Sequence, residues 1–356
     1  MSEALTVEVG SGTCRPDLDE RALFLTVADT QGSYTIPYIQ SSRVLTVRGR
    51  FASGQVDRAV LSLRREGVPV AEKTLSRAAA TAEFGGLEPG EYSLTVRETS
   101  NEGGSLSTTE FTRLGVGTVL AALGDSITEG YHGEGFWRDD LHLTGRDFPP
   151  AVVSKDGRNF PQFAPTTHVH KPTVNCFQSW MTRLNDLLSE SWRHPVFLAN
   201  EGWGGITAGG YLSWMDSDEW QKRMRLLHPQ LWLIHLGVND ERARLPGSTV
   251  ANNLSTMVDR LVKDFGASPA RVLLAKPCYD YAPGAATILK AYCTDLDYLI
   301  ARRGLSHGPD FFEAYSTDKE RWYGVDPVHP NVVGMERMAE LWHRAVVAAF
   351  PRGAAA

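Results

Sequence analysis

The chain has 356 residues, 42% of them hydrophobic, and a formal net charge of -6. That length supports a sizeable core and two domains, and the acidic balance with no dense Lys/Arg run excludes nucleic acid as the main partner. No segment reaches the ~18 apolar residues of a membrane-spanning helix. The opening MSEALTVEVGSG lacks a basic stretch followed by an apolar one, so the sequence predicts a soluble protein with no membrane partner, either cytoplasmic or secreted with its signal already removed.

Residues 1–115 read as strands. RALFLTVAD, RVLTVRGRFA, RAVLSLRREG, GEYSLTVRET and STTEFTRLGV are short and broadly alternating, rich in Val, Leu, Thr and Tyr, and separated by Gly, Pro, Ser, Asp and Asn turns. This pattern predicts an all-β sandwich, immunoglobulin-like or jelly-roll-like.

From residue 116 to 356 the period changes. VGTVLAALGDS is a continuous apolar run ending in a Gly-Asp-Ser turn, as expected of a buried parallel strand. FQSWMTRLNDLLSE follows as an amphipathic helix, with Trp180, Leu184, Leu187 and Leu188 on one face. PVFLANEG, PQLWLIHLGVND and ARVLLAKPC read as strands alternating with the helices EWQKRMRLLH, TVANNLSTMVDRLVKDFG and AATILKAYCTDLDYLIARRG. DFFEAYS is expected to be a fifth strand and NVVGMERMAELWHRAVVAAF the closing helix. The alternation predicts a three-layer α/β domain with a parallel sheet. Residues 131–174 interrupt it with polar residues, prolines and aromatics. An insertion of that length is often a lid or binding loop.

The four cysteines, Cys14, Cys176, Cys278 and Cys293, have no C-x-x-C spacing and make no zinc motif. They read as buried thiols, with a Cys278–Cys293 pair as the alternative. His168 and His170 form a His-x-His pair without an acidic or thiol partner motif, so they read as surface or substrate-contacting residues and no metal is expected. His235, inside an apolar strand, is expected to be a core histidine with its hydrogen bonds satisfied. Trp180, Trp232 and Trp342 fall on apolar faces and are expected in the core.

Four motifs stand at strand ends, where open α/β sheets place their sites. They are Gly124-Asp125-Ser126-Ile127-Thr128-Glu129-Gly130, Asn200-Glu201-Gly202-Trp203-Gly204-Gly205-Ile206-Thr207, Gly237-Val238-Asn239-Asp240 and Asp326-Pro327-Val328-His329-Pro330-Asn331. A serine hydroxyl needs a base to take its proton as it attacks. His329 can be that base, and Asp326, three residues earlier, can fix the imidazole tautomer. Asp125 and Asp240 sit in Gly-rich turns and are expected to order them through backbone hydrogen bonds.

In content and order these motifs resemble the four sequence blocks of the SGNH (GDSL-like) serine hydrolase superfamily, over about residues 117–350. The resemblance implies a flavodoxin-like α/β domain with Ser126 as nucleophile and Asp326 and His329 as acid and base. It places the oxyanion donors at Ser126, Gly205 and Asn239, and it needs no cofactor. Ile127 stands where many relatives have Leu. No G-x-S-x-G elbow surrounds Ser126, which disfavours an α/β-hydrolase. A sandwich ahead of such a domain resembles the layout of carbohydrate acetylesterases. That layout implies acetyl or other short acyl esters on a carbohydrate, or small esters, as substrate. A lipase, arylesterase or thioesterase with the same residues is the alternative, and a carbohydrate-binding protein with vestigial activity a more distant one. Asp125, His132, Trp203, Trp322 and Tyr323 are the candidates for contact with substrate.

Overall fold

The computed structural model describes residues 5–11, 26–29, 32–35, 39–40, 43–51, 56–100, 104–129, 180–324 and 327–353. The insertion at 131–174, His132, His168, His170, Cys14, Cys176 and Asp326 lie outside them.

The N-terminal region is strand-rich. Its strands are β1 (Leu5–Ser11), β2 (Thr26–Asp29), β3 (Gly32–Thr35), β4 (Ile39–Gln40), β5 (Leu45–Phe51), β6 (Arg58–Arg65), β7 (Val68–Ser76), β8 (Thr81–Phe84), β9 (Gly90–Thr99) and β10 (Ser105–Val116). One sheet has the order β1-β5-β8, a larger one β4-β10-β9-β6-β7, and β2 pairs with β3. The two larger sheets share one core: Leu45, Val47 and Phe84 from the first meet Leu61, Leu63, Leu94 and Val96 from the second. β6 and β9 alternate buried with less buried positions, as strands with one face on a core must. β1, β3, β4, β7 and β8 add to the strands expected from sequence.

A single residue, Gly117, separates β10 from β11 (Thr118–Gly124). A side chain there would collide with the Pro195 carbonyl, so the chain enters the second sheet through a position that only glycine fills. α1 (Ser126–Glu129), α2 (Trp180–Trp192), β12 (Val196–Gly202), α3 (Ala208–Trp214), α4 (Asp218–Leu227), β13 (Leu231–His235), α5 (Val238–Arg242), α6 (Gly247–Phe265), β14 (Val272–Lys276), α7 (Ala285–Arg303), β15 (Ser306–Asp310), α8 (Phe311–Ala314), α9 (Lys319–Trp322) and α10 (Val332–Ala349) follow.

The second sheet is parallel, in the order β12-β11-β13-β14-β15. Every residue of β11, β12 and β13 is buried, because helices cover both faces. One face carries Val119, Ala121 and Leu123 against α3, α4, α6 and α7. The other carries Leu120 and Ala122 against α2 and α10, where Trp180 stacks on Trp342 at 5.7 Å. This is the expected three-layer α/β architecture, with the strand order of flavodoxin-like sheets.

The fifth strand differs from expectation. DFFEAYS is not a strand; β15 is the polar SHGPD just before it. The Asp310 side chain accepts from the Glu313 N–H at 2.9 Å and so starts a helical turn at Phe311.

Candidate active site

The site lies at the carboxyl ends of β11, β12 and β13. These strands finish level: Gly124 is in register with Gly202 on one side and His235 on the other. Ser126 opens α1 directly after β11. The tight turn needs glycine at 124, since a Cβ there would strike the Thr128 side chain and lie 2.9 Å from the His235 carbonyl oxygen. Asp125 is 1% exposed and its Oδ1 accepts from the Ile127 N–H at 3.0 Å. It therefore orders the Ser126 turn from inside and does not line a cleft, against its place among the substrate contacts.

Ser126 Oγ lies 2.9 Å from His329 Nε2. His329 arrives on the segment between α9 and α10, which is tied down at several points. Tyr281 N–H donates to the Pro327 carbonyl at 3.0 Å, and Tyr323 and Pro330 form an antiparallel bridge. Asn331 caps α10 by accepting from Gly334 N–H at 2.8 Å, while its amide donates to the Arg321 and Tyr323 carbonyls at 3.0 and 3.2 Å.

The second motif forms a turn after β12. Gly205 is exposed, has a φ of 80° and has no atom within 4 Å of where a Cβ would stand. Glycine is needed there for the left-handed backbone, not to avoid a protein neighbour. Asn239, in α5, donates one amide hydrogen to the Ile206 carbonyl at 2.9 Å. Asp240, fully buried, accepts from the Ala208 N–H with both oxygens, at 3.1 and 3.0 Å. Its carboxylate thus holds the first N–H of α3, which Thr207 caps locally by accepting from Gly210 N–H at 3.1 Å, and so ties α5 to α3.

Glu129 is a site residue that the sequence reading passed over. It is 3% exposed, and its Oε2 accepts from Gly204 N–H at 2.7 Å while its carbonyl accepts from Asn200 Nδ2 at 3.2 Å. A Cβ on Gly202 would collide with the Glu129 backbone nitrogen. The Ser126 turn and the Gly205 turn are therefore packed as one body. The available signal was an acidic residue three positions after the serine, beside two glycine-rich motifs.

Buried polarity surrounds the serine. Burial raises the Asp125 carboxyl to about 6, against the opposing Ile127 hydrogen bond and the attraction of His329. Burial also raises Asp240. It raises the Cys278 thiol well above its ordinary value, with the Asp125 charge adding to the effect. Cys278 and Cys293 are free buried thiols. His235 is buried as expected, but neither ring nitrogen has a hydrogen-bond partner. It rests edge-on to Phe311 at 4.9 Å, and burial pushes it down to about 3.

Among the candidate substrate contacts, Trp203 is half-buried and meets Trp214 edge-on at 4.7 Å. Trp322 is half-buried, with Arg321 4.3 Å above its ring. Tyr323 is 2% exposed and its hydroxyl donates to the Tyr279 carbonyl at 2.7 Å, so it supports the His329 segment from within. Among the described residues no group of three or more His, Cys, Asp or Glu could hold a metal ion, and no helix is long and apolar enough to cross a membrane.

The GDSL-like Lipase/Acylhydrolase family model matches residues 122–337, which span the Ser126 turn, the motifs that hold Gly205 and Asn239, and His329. The chain belongs to this family. It is thus a hydrolase of acyl esters. A lipase/acylhydrolase from Enterococcus faecalis is 18% identical with a TM-score of 0.45, over 65% of this chain and 96% of that one. A psychrotrophic esterase from Pseudoalteromonas sp. is 16% identical with a TM-score of 0.43, over 65% and 97%. A family 3 carbohydrate esterase from Clostridium thermocellum is 16% identical with a TM-score of 0.42, over 65% and 96%. No curated protein matches the acylhydrolase chain.

Proposed function

We propose that the protein is a serine esterase that removes acetyl or another short acyl group from a carbohydrate. The observation that carries the mechanism is the 2.9 Å contact between Ser126 Oγ and His329 Nε2, made by residues 203 positions apart. A serine and an imidazole in that geometry suit one reaction: attack on an acyl carbonyl with the proton passing to the ring. His329 then returns the proton to the leaving alcohol, and an acyl-Ser126 ester remains. Water activated by His329 releases the acid. Asp326 is assigned the role of holding the imidazole in the tautomer whose Nε2 faces the serine.

The oxyanion is assigned to the Ser126 and Gly205 N–H groups and the Asn239 amide. Asn239 has two amide hydrogens. One is held by the Ile206 carbonyl, which fixes the amide plane and leaves the second for the substrate. The buried carboxylates of Asp125, Glu129 and Asp240 each accept from a backbone N–H in these turns, so the donors are set before substrate arrives.

Two half-buried indoles support the carbohydrate assignment, because sugar rings stack on aromatic faces. Trp203 lies within the second motif and Trp322 stands seven residues before His329. The strand-rich region at 1–115 ahead of a catalytic domain at 116–356 fits a tethered substrate-directing module.

Hydrolysis of 4-nitrophenyl acetate, butyrate and octanoate, with acetate release from acetylated xylan, tests the reading. Ser126→Ala is expected to lower kcat by about 10⁴–10⁶-fold, and Asn239→Ala by about 10²–10³-fold. Ser126→Ala at wild-type rate sinks the mechanism. Preference for octanoate with xylan untouched replaces the substrate assignment by a lipase while leaving the mechanism standing.

A further inference from the structure

We propose that Arg242 and Asp280 form a brace that sets the oxyanion amide at a fixed distance from the catalytic base, which makes both of them positioning residues for hydrolysis. The inference rests on the roles assigned above to Ser126, Asn239 and His329. It begins from Asp280, whose side chain is 0% exposed, in the segment that follows β14. A buried carboxylate requires a partner. Asp280 Oδ1 accepts from Ala282 N–H at 2.7 Å, and Oδ2 faces Arg242 Nη2 at 3.4 Å.

Each end of this pair leads to one half of the machinery. Tyr281, next to Asp280, donates its N–H to the Pro327 carbonyl at 3.0 Å, two residues before His329. The Tyr279 carbonyl, on the other side of Asp280, receives the Tyr323 hydroxyl at 2.7 Å. The base segment is thus hung on the two residues that flank Asp280. At the other end, Arg242 lies three residues beyond Asn239 in α5, and the turn between them is closed by Ala243 N–H on the Asn239 carbonyl at 2.9 Å. Asn239 is in turn fixed on Ile206 at 2.9 Å. The path from oxyanion donor to base is continuous, and Arg242–Asp280 is its one charged link in the described residues.

The cation is needed where it stands. Glu241 is 7% exposed, and its carboxyl is raised by burial and by the charge of Asp280, with Arg242 and then Arg244 opposing, and of these two Arg242 is the one that also reaches Asp280. Without Arg242 two largely buried carboxylates would repel, and the Asp280 segment would move away from α5. A shift of about 1 Å in a catalytic group costs up to about 100-fold in rate.

The test is the kinetics of Arg242→Met, Arg242→Lys, Asp280→Asn and the Arg242→Met/Asp280→Asn double variant on 4-nitrophenyl acetate, with thermal unfolding of each. Arg242→Met and Asp280→Asn are expected to lower kcat about 10–100-fold while KM stays within about 3-fold. Arg242→Lys keeps the charge and recovers part of the loss. The double variant removes the uncompensated carboxylate and regains thermal stability, yet stays as slow as Arg242→Met. It carries the test if Arg242→Met does not fold. Recovery of kcat together with stability in the double variant overturns the proposal, because the pair is then structural only. A rise in KM at unchanged kcat also overturns it, since Arg242 would then contact substrate. Ser126→Ala is run alongside. Activity in Ser126→Ala overturns the reading beneath the brace, whereas an inert Ser126→Ala with wild-type rates in every brace variant overturns the brace alone.

Discussion

The two sheet systems of this chain handle polarity in opposite ways. Among the described residues, the N-terminal sheets bury one polar side chain, Thr46, and leave nearly all of β7 exposed, with Val70 at 48%. The carboxyl edge of the parallel sheet buries Asp125, Glu129, Asn200, His235, Asp240 and Asp280. Buried ionisable groups weaken a fold unless each is held by hydrogen bonds or a counter-charge. The first region is built for ordinary stability. In the second, Asp125, Glu129, Asp240 and Asp280 each hold a backbone N–H in the turns around Ser126 and His329, whereas His235 has no hydrogen-bond partner.

The largest effect that would sharpen this contrast concerns His235. Its folded value is pushed down to about 3 from an ordinary 6.5. Its contribution is therefore fully present above pH 6.5 and is lost as pH falls toward 3, up to roughly 5 kcal/mol over that window. His235→Phe removes the titration and leaves no unpartnered ring nitrogens. The variant is expected to match or exceed wild type at pH 7 and to lose much less stability by pH 4, read by urea unfolding at several pH values. Equal acid slopes in both proteins would show that His235 is not the group responsible.

Substitution of glycine by alanine comes next, because the same change has different outcomes in the two regions. Gly202→Ala drives a methyl group into the Glu129 backbone nitrogen. It is expected to cost about 3 kcal/mol and to depress kcat by displacing the Ser126 turn. Gly86→Ala, in the N-terminal region, meets open space but carries a φ of 67°. The expected cost is about 1 kcal/mol with kcat unchanged. Thermal unfolding and initial rates on the two variants check the pair, and equal costs would erase the contrast. The smallest effect belongs to Val70→Lys on the exposed edge strand. It is expected to change stability by less than about 0.5 kcal/mol and leave activity intact, since the Val70 side chain is exposed.

Long, strongly patterned elements were legible in the sequence. The apolar runs of β11, β12, β13 and β14 and the helices α6, α7 and α10 carry periods that local chemistry alone makes plain. The short elements α3 and α5 were not, because seven and five residues are too few to show a helical period. α3 joins a local cap, Thr207 accepting from Gly210 N–H, to a distant one, Asp240, 32 residues away, accepting from Ala208 N–H. DFFEAYS misled because Phe311 and Tyr315 look like strand residues, while the Asp310 cap turns them into a helical turn. Ser126, Gly205 and Asn239 were readable as motifs just past strand ends, whereas the His329 motif, expected at a strand end, lies between α9 and α10, because α8 and α9 follow β15. The carboxylates of Glu129 and Asp280 were not, since their partners, Gly204 and Arg242, are distant in sequence.

The level ending of β12, β11 and β13 has a further consequence. Adjacent parallel strands are held about 4.8 Å apart by their backbone ladders, and Gly124 stands in register with both Gly202 and His235. The sheet therefore acts as a ruler. It sets the spacing of the strand ends from which the turns carrying Ser126, Gly205 and Asn239 leave, and the Glu129 and Asn239 side chains then tie those turns to one another. Loops that leave these turns can lengthen, shorten or change composition without altering that spacing. Choice of substrate can drift in such a scaffold while the spacing of the Ser126 turn from the Gly205 and Asn239 turns stays fixed.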